Sequence, residues 1–146
     1  MTSIHRSALL AHSAQQLYEL VNDVESYPRF MDGCVGAQVL HRDAKFMEAR
    51  LDLARGGIAQ SFTTRNELQP YERITLTLAQ GPFDHFAGAW RFDALAAEAC
   101  KVSLDLEFRV RSGLLGAAAT KLFERVASNL VDAVVNRAGD VYARQE

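Results

Sequence analysis

The sequence has few cysteines and no excess of basic residues, and each shortage excludes a class of protein. Two cysteines among 146 residues can supply neither the disulfide framework of a small secreted domain nor the four ligands of a structural zinc site. This count favours a reducing compartment. A net charge of −2 and a pI near 6.1 give the whole chain no attraction to nucleic-acid phosphates or anionic lipids. Any contact with RNA must therefore come from a local patch.

Long apolar runs are also missing. No window reaches the ~20 apolar residues that cross a bilayer. The first residues, MTSIHR, have neither the apolar core of a signal peptide nor the Arg- and Ser-rich pattern of a mitochondrial leader. We therefore expect residue 1 to begin the mature domain of a bacterial, cytoplasmic protein, with transient contact at the inner membrane left open.

Motifs for catalysis and metal binding are absent from the sequence as well. The four histidines and two cysteines show no paired spacing such as Cys-x-x-Cys or His-x-x-x-His. There is no Gly-rich phosphate loop, no G-x-S-x-G elbow and no dinucleotide fingerprint. His85 lacks a carboxylate at a fixed spacing, and its strand position predicts that it points to solvent. The sequence therefore predicts no catalytic residue, no metal site and no cofactor.

Hydrophobic periodicity predicts the order of the structural elements. Residues 3–10 are typical of a strand, and Ser13 followed by Gln16 is a capping box that begins a helix. That helix ends, or a second short turn starts, at Tyr27-Pro28. From Val35 to Val110 the period is two, which predicts six antiparallel strands. The apolar stripe of the helix is formed by Leu17, Leu20, Val21 and Val24.

The last strand and the final helix are the clearest elements. Between Cys100 and Val110, apolar and polar residues alternate without a break. From Leu114 to about Tyr142 the apolar positions recur at helical spacing instead. We predict one α+β domain over residues 1–146, in which a seven-stranded antiparallel sheet grips this helix. The helix stripe consists of Leu115, Ala119, Leu122, Val126, Leu130, Val134 and Ala138.

A twisted sheet curves away from a straight helix, so an elongated apolar cavity is expected between them. Tyr27, Pro28 and Phe30 are expected at its mouth, where a fixed plug is favoured over a movable lid. Small residues at positions 113 and 116–119 either leave room or allow close packing, and close packing is favoured. Strand parity and the helix stripe predict that the cavity is lined by Phe62, Leu76, Leu78, Trp90, Leu104, Leu106, Phe108, Ala119, Leu122 and Val126.

Three polar residues share strand parity with the apolar ones between residues 58 and 68. They are Gln60, Thr64 and Asn66. Their side chains either anchor a polar head group inside the cavity or bond to loops near the sheet edge. The sequence does not choose between these two roles.

Several segments carry a family resemblance that runs nearly end to end. Residues 22–30, NDVESYPRF, followed by Cys34, resemble the N-terminal signature of the family that contains RatA ribosome-association toxins and coenzyme Q-binding proteins. Residues 62–66, Gly81-Pro82-Phe83 and Trp90 fall where that family has similar segments. Met31-Asp32 departs from the Leu-Pro usual in the family at this loop.

The resemblance implies a START-like, Bet v 1-like helix-grip fold and two functions of different classes. The first is binding of a polyprenyl quinone, ubiquinone, in support of respiratory electron transport. The second is that of a toxin which binds the large ribosomal subunit, blocks subunit association and is countered by an antitoxin. Mixed acidic and basic residues on the polar strand faces favour the first. Polyketide cyclases share the fold, and an enzyme of that kind is the third and weakest alternative.

Overall fold

The computed structural model describes residues 1–113 and 116–142. The strands are β1 Thr2–Leu10, β2 Cys34–Arg42, β3 Phe46–Arg55, β4 Ile58–Gln69, β5 Arg73–Gln80, β6 Phe83–Ala96 and β7 Ala99–Val110. The helices are α1 Ala14–Asn22 and α2 Gly116–Tyr142, and a 3₁₀ segment spans Val24–Arg29.

The strands form one antiparallel sheet in the order β1-β7-β6-β5-β4-β3-β2. Strands β2 to β7 are a meander of sequence neighbours, and β1 pairs with the free edge of β7. The long α2 lies across the inner face of this sheet, so the predicted α+β helix-grip fold is confirmed. Leu114 and Leu115, with which the predicted helix began, lie outside the described residues.

Alternation separates the two faces of the sheet, as β7 illustrates. Val102, Leu104 and Phe108 are at most 1% exposed on the inner face, under α2. Lys101 and Glu107 are exposed on the outer face. Because side chains of successive strand residues point to opposite faces, one strand supplies both the core and a charged surface.

Helix α1 begins where the capping box predicts but ends earlier than its apolar stripe suggests. The Gln16 backbone N–H donates to the Ser13 hydroxyl at 3.1 Å, and the Ser13 backbone N–H donates to the Gln16 side chain at 3.0 Å. At the other end, the Asp23 N–H bonds to the Leu20 carbonyl three residues back, which tightens the last turn. Val24 therefore belongs to the 3₁₀ segment and not to α1.

The loop between the 3₁₀ segment and β2 is held against α2 at Gly33. This residue has φ +91°, and a Cβ there would lie 2.8 Å from Cγ2 of Val126. Glycine is therefore required both by the left-handed backbone and by the close approach to the helix. The contact fixes the 3₁₀ segment over one side of the groove between sheet and helix.

Candidate functional site: an apolar cavity under the helix

A cavity of about 90 Å³ lies between the inner face of the sheet, α2 and the 3₁₀ segment. Its walls are almost entirely aliphatic and aromatic. The lining residues are Val24, Tyr27, Met31, Ala49, Leu51, Leu53, Phe62, Thr64, Asn66, Leu76, Trp90, Leu104, Leu106, Phe108, Phe123, Val126, Ala127 and Leu130.

The volume limits what this cavity holds without movement of its walls. One water molecule needs roughly 10–15 Å³ in this measure, so 90 Å³ corresponds to about six to nine waters. Pockets for drug-sized ligands are usually about 300–1,000 Å³. A ligand with a long chain must therefore part the helix from the sheet or leave part of its chain outside.

Phenylalanines pack together at one part of the cavity wall. The Phe123 ring of α2 lies 4.5 Å from that of Phe83 and 5.4 Å from that of Phe62, measured between centroids. Phe86 and Phe108 complete the cluster. Aromatic pairs of this kind are each worth about 0.5–1.5 kcal/mol beyond their buried area, so this part of the groove is firmly closed.

The 3₁₀ segment covers the cavity from another side. The Met31 N–H donates to the Tyr27 carbonyl at 2.8 Å, which turns the Met31 side chain inward. The Tyr27 hydroxyl donates to the Val21 carbonyl, and burial raises the pKa of this phenol above its ordinary value. Buried and internally bonded, Tyr27 is a fixed part of the wall.

Two of the three residues expected at the mouth lie outside the cavity. Pro28 is exposed, because the three-residue period of the 3₁₀ segment turns Val24 and Tyr27 inward and Pro28 away. Phe30 packs edge-on against Tyr27 at 5.6 Å and under the Arg137 guanidinium at 5.4 Å. Phe30 therefore packs on the side of Tyr27 that faces away from the cavity, and its contact with Arg137 connects the 3₁₀ segment to α2.

Most of the residues predicted to line the cavity do so, and three do not. Phe62, Leu76, Trp90, Leu104, Leu106, Phe108 and Val126 are in the wall. Leu78 lies beside the β5–β6 turn, within reach of Gly81. Ala119 lies one turn before Phe123, and Leu122 points about 100° away from Phe123 around the helix axis. Whether any of these side chains contacts a ligand stays a prediction.

Most of the missed wall residues lie on two elements, α2 and β3. On α2 the missed residues belong to an i, i+3, i+4, i+7 stripe, which consists of Phe123, Val126, Ala127 and Leu130. The rotation of α2 about its own axis, that is, the phase of this stripe relative to the sheet, decides which side of the helix faces the cavity. The sequence does not contain that phase. The β3 residues Ala49, Leu51 and Leu53 carry the right alternation, but the alternation does not tell which strands α2 leaves uncovered.

Two polar side chains interrupt the apolar wall. Asn66 is 5% exposed and Thr64 is 8% exposed, both on β4 and both facing the cavity. Among the described residues, Asn66 Oδ1 has no hydrogen-bond partner. Gln60, the third polar residue of this parity, is not in the wall. The geometry therefore favours a role inside the cavity for Asn66 and Thr64 over bonding to a loop.

The titratable groups of the core lie outside this wall or are held neutral. Burial raises the pKa of the Cys34 thiol, and burial with the nearby Asp93 carboxylate raises that of Cys100 to about 11. No acidic, basic or histidine side chain is in the cavity wall within the described part of the chain. Over residues 1–113 and 116–142, no three His, Cys, Asp or Glu side chains converge as metal ligands.

His85 is not fully turned to solvent, contrary to the expectation from strand parity. It is half-buried, and its Nε2 is enclosed without a hydrogen-bond partner among the described residues. A register irregularity between Phe83 and His85 breaks the alternation on which that expectation rests. The ring nevertheless lies outside the cavity wall.

The outer face of the sheet carries charges of both signs. Arg91 donates to Asp105 at 2.9 Å, and His5 contacts the same carboxylate from β1. The Arg65 guanidinium lies 4.5 Å above the Phe46 ring. Arg73 is the cross-strand partner of Arg91. Within the described residues, no helix is long and apolar enough to cross a membrane.

Comparison with known proteins identifies the family. The model of the family described as polyketide cyclase / dehydrase and lipid transport matches residues 10–135. The ribosome association toxin RatA of Escherichia coli is 41% identical over 98% of this chain and 90% of its own length. RatA of Pseudomonas aeruginosa is 44% identical over 97% of this chain and 98% of its own length. The chain belongs to the RatA family.

A more distant relative has a different name. The mitochondrial coenzyme Q-binding protein COQ10 homolog B of Xenopus laevis is 26% identical, over 96% of this chain and 59% of its own length. The RatA-family chain thus has relatives of both kinds that the sequence resemblance named, RatA toxins and coenzyme Q-binding proteins. The RatA relatives are much closer in sequence identity. The sequence alone favours the quinone-binding function over the ribosome-associated one, and these identities reverse that order.

Solved structures share the fold. The ZhuI aromatase/cyclase of a Streptomyces species superposes with TM-score 0.81 at 20% identity, over 94% of this chain and 93% of its own. A START superfamily protein of Mycobacterium smegmatis gives TM-score 0.78 at 22% identity, over 95% and 98%. The RatA-family chain therefore shares the helix-grip fold of these structures, and the walls of its cavity suit a hydrophobic ligand.

Proposed function

We propose that this protein associates with the ribosome, at its large subunit, as a RatA-type binding protein. The observation that carries this proposal is the 41–44% identity to RatA chains along nearly the whole length of both partners. Such similarity over nearly the full length of both chains supports a surface as well as a fold in common. An antitoxin partner is part of the same proposal.

The outer face of the sheet is the surface we assign to ribosomal RNA. Net charge gives no global attraction to phosphate, so a local group of arginines must supply it. Arg73 and Arg91 are neighbours across β5 and β6. Both residues border a shallow depression that is floored by Ala87, Gly88 and Ala89 and is also lined by the acidic residues Asp105 and Glu107. Small floor residues let a phosphate backbone approach both arginines.

The test is sedimentation with purified large subunits across a salt series. Replacing Arg65 and Arg91 by Glu reverses two charges on the outer face, so we expect weaker binding and a shallower dependence of log Kd on log salt. The control replaces Lys121 and Arg125 by Glu on the exposed side of α2, which also reverses two charges but away from the sheet. Equal loss in both variants would argue against the outer face, and absence of any binding by the natural sequence would contradict the ribosomal proposal.

We also propose a second function for the cavity, the binding of a hydrophobic ligand such as a polyprenyl quinone. The apolar wall supports it, and the name of the Xenopus laevis relative supports the quinone. Each buried methylene contributes ~0.8 kcal/mol, so a few isoprene units offset the entropy lost on association. With a cavity volume of about 90 Å³, a longer chain binds only if α2 moves outward or part of the chain stays outside.

Two measurements test the second function. Native mass spectrometry with lipid extraction, on protein purified from its own cells, should detect a co-purified lipid. Titration with a short-chain ubiquinone should change the emission of Trp90, the sole tryptophan of the sequence, because its side chain is in the wall. No extracted lipid and no change in emission would contradict ligand binding and leave the ribosomal proposal standing alone.

Both proposals describe binding without catalysis. General acid–base chemistry needs a group that exchanges a proton near the operating pH within reach of the substrate. The wall of the cavity offers the Asn66 amide, the Thr64 hydroxyl and the Tyr27 phenol, whose pKa is raised by burial. None of these groups titrates near neutral pH. The Tyr27 hydroxyl already donates to the Val21 carbonyl, so the Asn66 amide and the Thr64 hydroxyl are the two that can orient a ligand.

A further inference from the structure

Asn66 lies at a buried position where an amide lowers the stability of the fold. Its neighbours across the sheet are Met47 of β3 and Leu76 of β5, and Met47 is 0% exposed. The amide is 5% exposed, and Oδ1 has no hydrogen-bond partner among the described residues. A buried acceptor without a partner loses its hydration and gains nothing in return, so an apolar residue here would give a more stable fold.

The amide faces the cavity together with a hydroxyl. Thr64 precedes Asn66 by two residues on the same strand, so both side chains project from the inner face side by side. Both are in the cavity wall, and Thr64 is 8% exposed. The rest of the wall near them, Ala49 and Leu76, is apolar.

We propose that Asn66, assisted by Thr64, is a polar anchor that selects hydrophobic ligands carrying a hydroxyl group. The inference rests on the proposed ligand-binding function and names the class of ligand. The unsatisfied atom is an acceptor, so the ligand must bring a donor. An alcohol or a hydroquinone has an O–H that donates to Asn66 Oδ1, whereas a quinone or an ether can only accept from the Asn66 Nδ2 group and leaves Oδ1 without a partner. The anchor therefore favours the reduced quinol or a prenyl alcohol over the oxidised quinone.

The test compares two probes that differ in one donor. Geraniol and its methyl ether share the same apolar chain, and Trp90 emission with calorimetry reports binding of each. One neutral hydrogen bond contributes about 0.5–1.5 kcal/mol, so the natural sequence should bind geraniol about 2- to 10-fold more tightly than the ether. Asn66→Leu should bind both probes equally, because it keeps the volume and removes the acceptor.

Thermal unfolding separates an anchor from a structural role. If Asn66 serves the ligand, Asn66→Leu should unfold at a higher temperature than the natural sequence while losing the preference for geraniol. If Asn66 serves the fold, the variant should be less stable. Asn129→Leu, on the exposed side of α2, is the matched control and should keep the natural preference.

The outcomes test the hydrogen bond to Asn66 separately from the binding of hydrophobic ligands in the cavity. Binding of both probes with no preference, or a preference that survives in Asn66→Leu, would overturn the anchor and leave hydrophobic-ligand binding intact. Binding of neither probe at millimolar concentration would overturn both. A preference for the ether would show that the cavity rejects donors and would also overturn the anchor.

Discussion

The inner and outer faces of the sheet are built from the same strands, but different interactions determine the residues on each face. On β7, Leu104 of the inner face is 1% exposed, while its neighbour Asp105 is half-exposed and shared by Arg91 and His5. Inner positions are fixed by packing against α2, and outer positions by solvent and by pairs of exposed charges. The difference separates two proposed functions, because a ligand enters under the helix and a macromolecule meets the charged face.

The largest expected effect comes from moving a charge between the faces. Leu104→Arg places an unpaired guanidinium in the core, which should cost more than ~4 kcal/mol out of a total stability of about 5–15 kcal/mol. Glu107→Arg, on the outer face of the same strand, should change stability by less than ~0.5 kcal/mol. Thermal unfolding of both variants checks this, and similar melting would mean that the two faces are not distinct.

Leu106 is a milder site on the same strand. It lines the cavity but is only partly buried, so Leu106→Arg should affect ligand binding more than folding. An arginine there can place its stem in the cavity and extend its head outward. We expect ligand binding to be lost and the protein to remain folded.

The second expected effect fills the cavity without adding charge. Ala127 is 7% exposed and lies in the wall on α2, so Ala127→Leu projects its added carbons into the 90 Å³ space. At ~24 cal/mol per Å³ of void, filling it returns at most about 2 kcal/mol. Affinity for a hydrophobic probe should fall at least tenfold while the melting temperature holds or rises.

The control for this variant is Ala117→Leu, at an exposed position on the first turn of the same helix. It adds the same side chain outside the cavity and should leave probe affinity unchanged. Undiminished affinity in Ala127→Leu would place the ligand elsewhere on the molecule.

The sequence predicted the inner face better than it predicted the cavity within it. Alternation in β7 identifies Leu104 and Phe108 because a strand turns every second side chain inward. It cannot identify Phe123, because the rotation of α2 about its axis depends on packing against the whole sheet. Met31 was missed for a similar reason: its inward turn depends on the hydrogen bond to Tyr27, which residue types alone do not specify.

The third expected effect concerns thiols and alkaline pH. Burial raises the pKa of Cys100 to about 11 from 9.0, so the unfolded chain loses this proton first as pH rises. The unfolded state then binds fewer protons than the folded state, and stability should fall between pH 9 and about pH 11. Below pH 9 this contribution is fully present. Urea unfolding across this range measures it.

Thiol labelling extends the same comparison to both faces. At pH 8 the thiols of Cys34 and Cys100, both buried, should react with Ellman's reagent far more slowly in the folded protein than in urea. Thr77→Cys places a thiol on the exposed outer face and should react at once. Rapid labelling of the natural sequence would show that the inner face opens readily.

The smallest effect on stability is expected at Asp105, on the outer face. The carboxylate and its partner Arg91 are 44% and 45% exposed, and exposed pairs of this kind contribute about 0–1 kcal/mol. Asp105→Asn should therefore leave the melting temperature within a few degrees.

The same substitution also frees Arg91 beside Arg73, so two unneutralised guanidinium groups become available to phosphate. If the outer face contacts ribosomal RNA, this variant should bind large subunits more tightly and with a steeper salt dependence, while Arg91→Gln should do the opposite at similar stability. Unchanged binding in both variants would remove this face from the ribosomal contact and leave the charges of the outer face as a solvated surface.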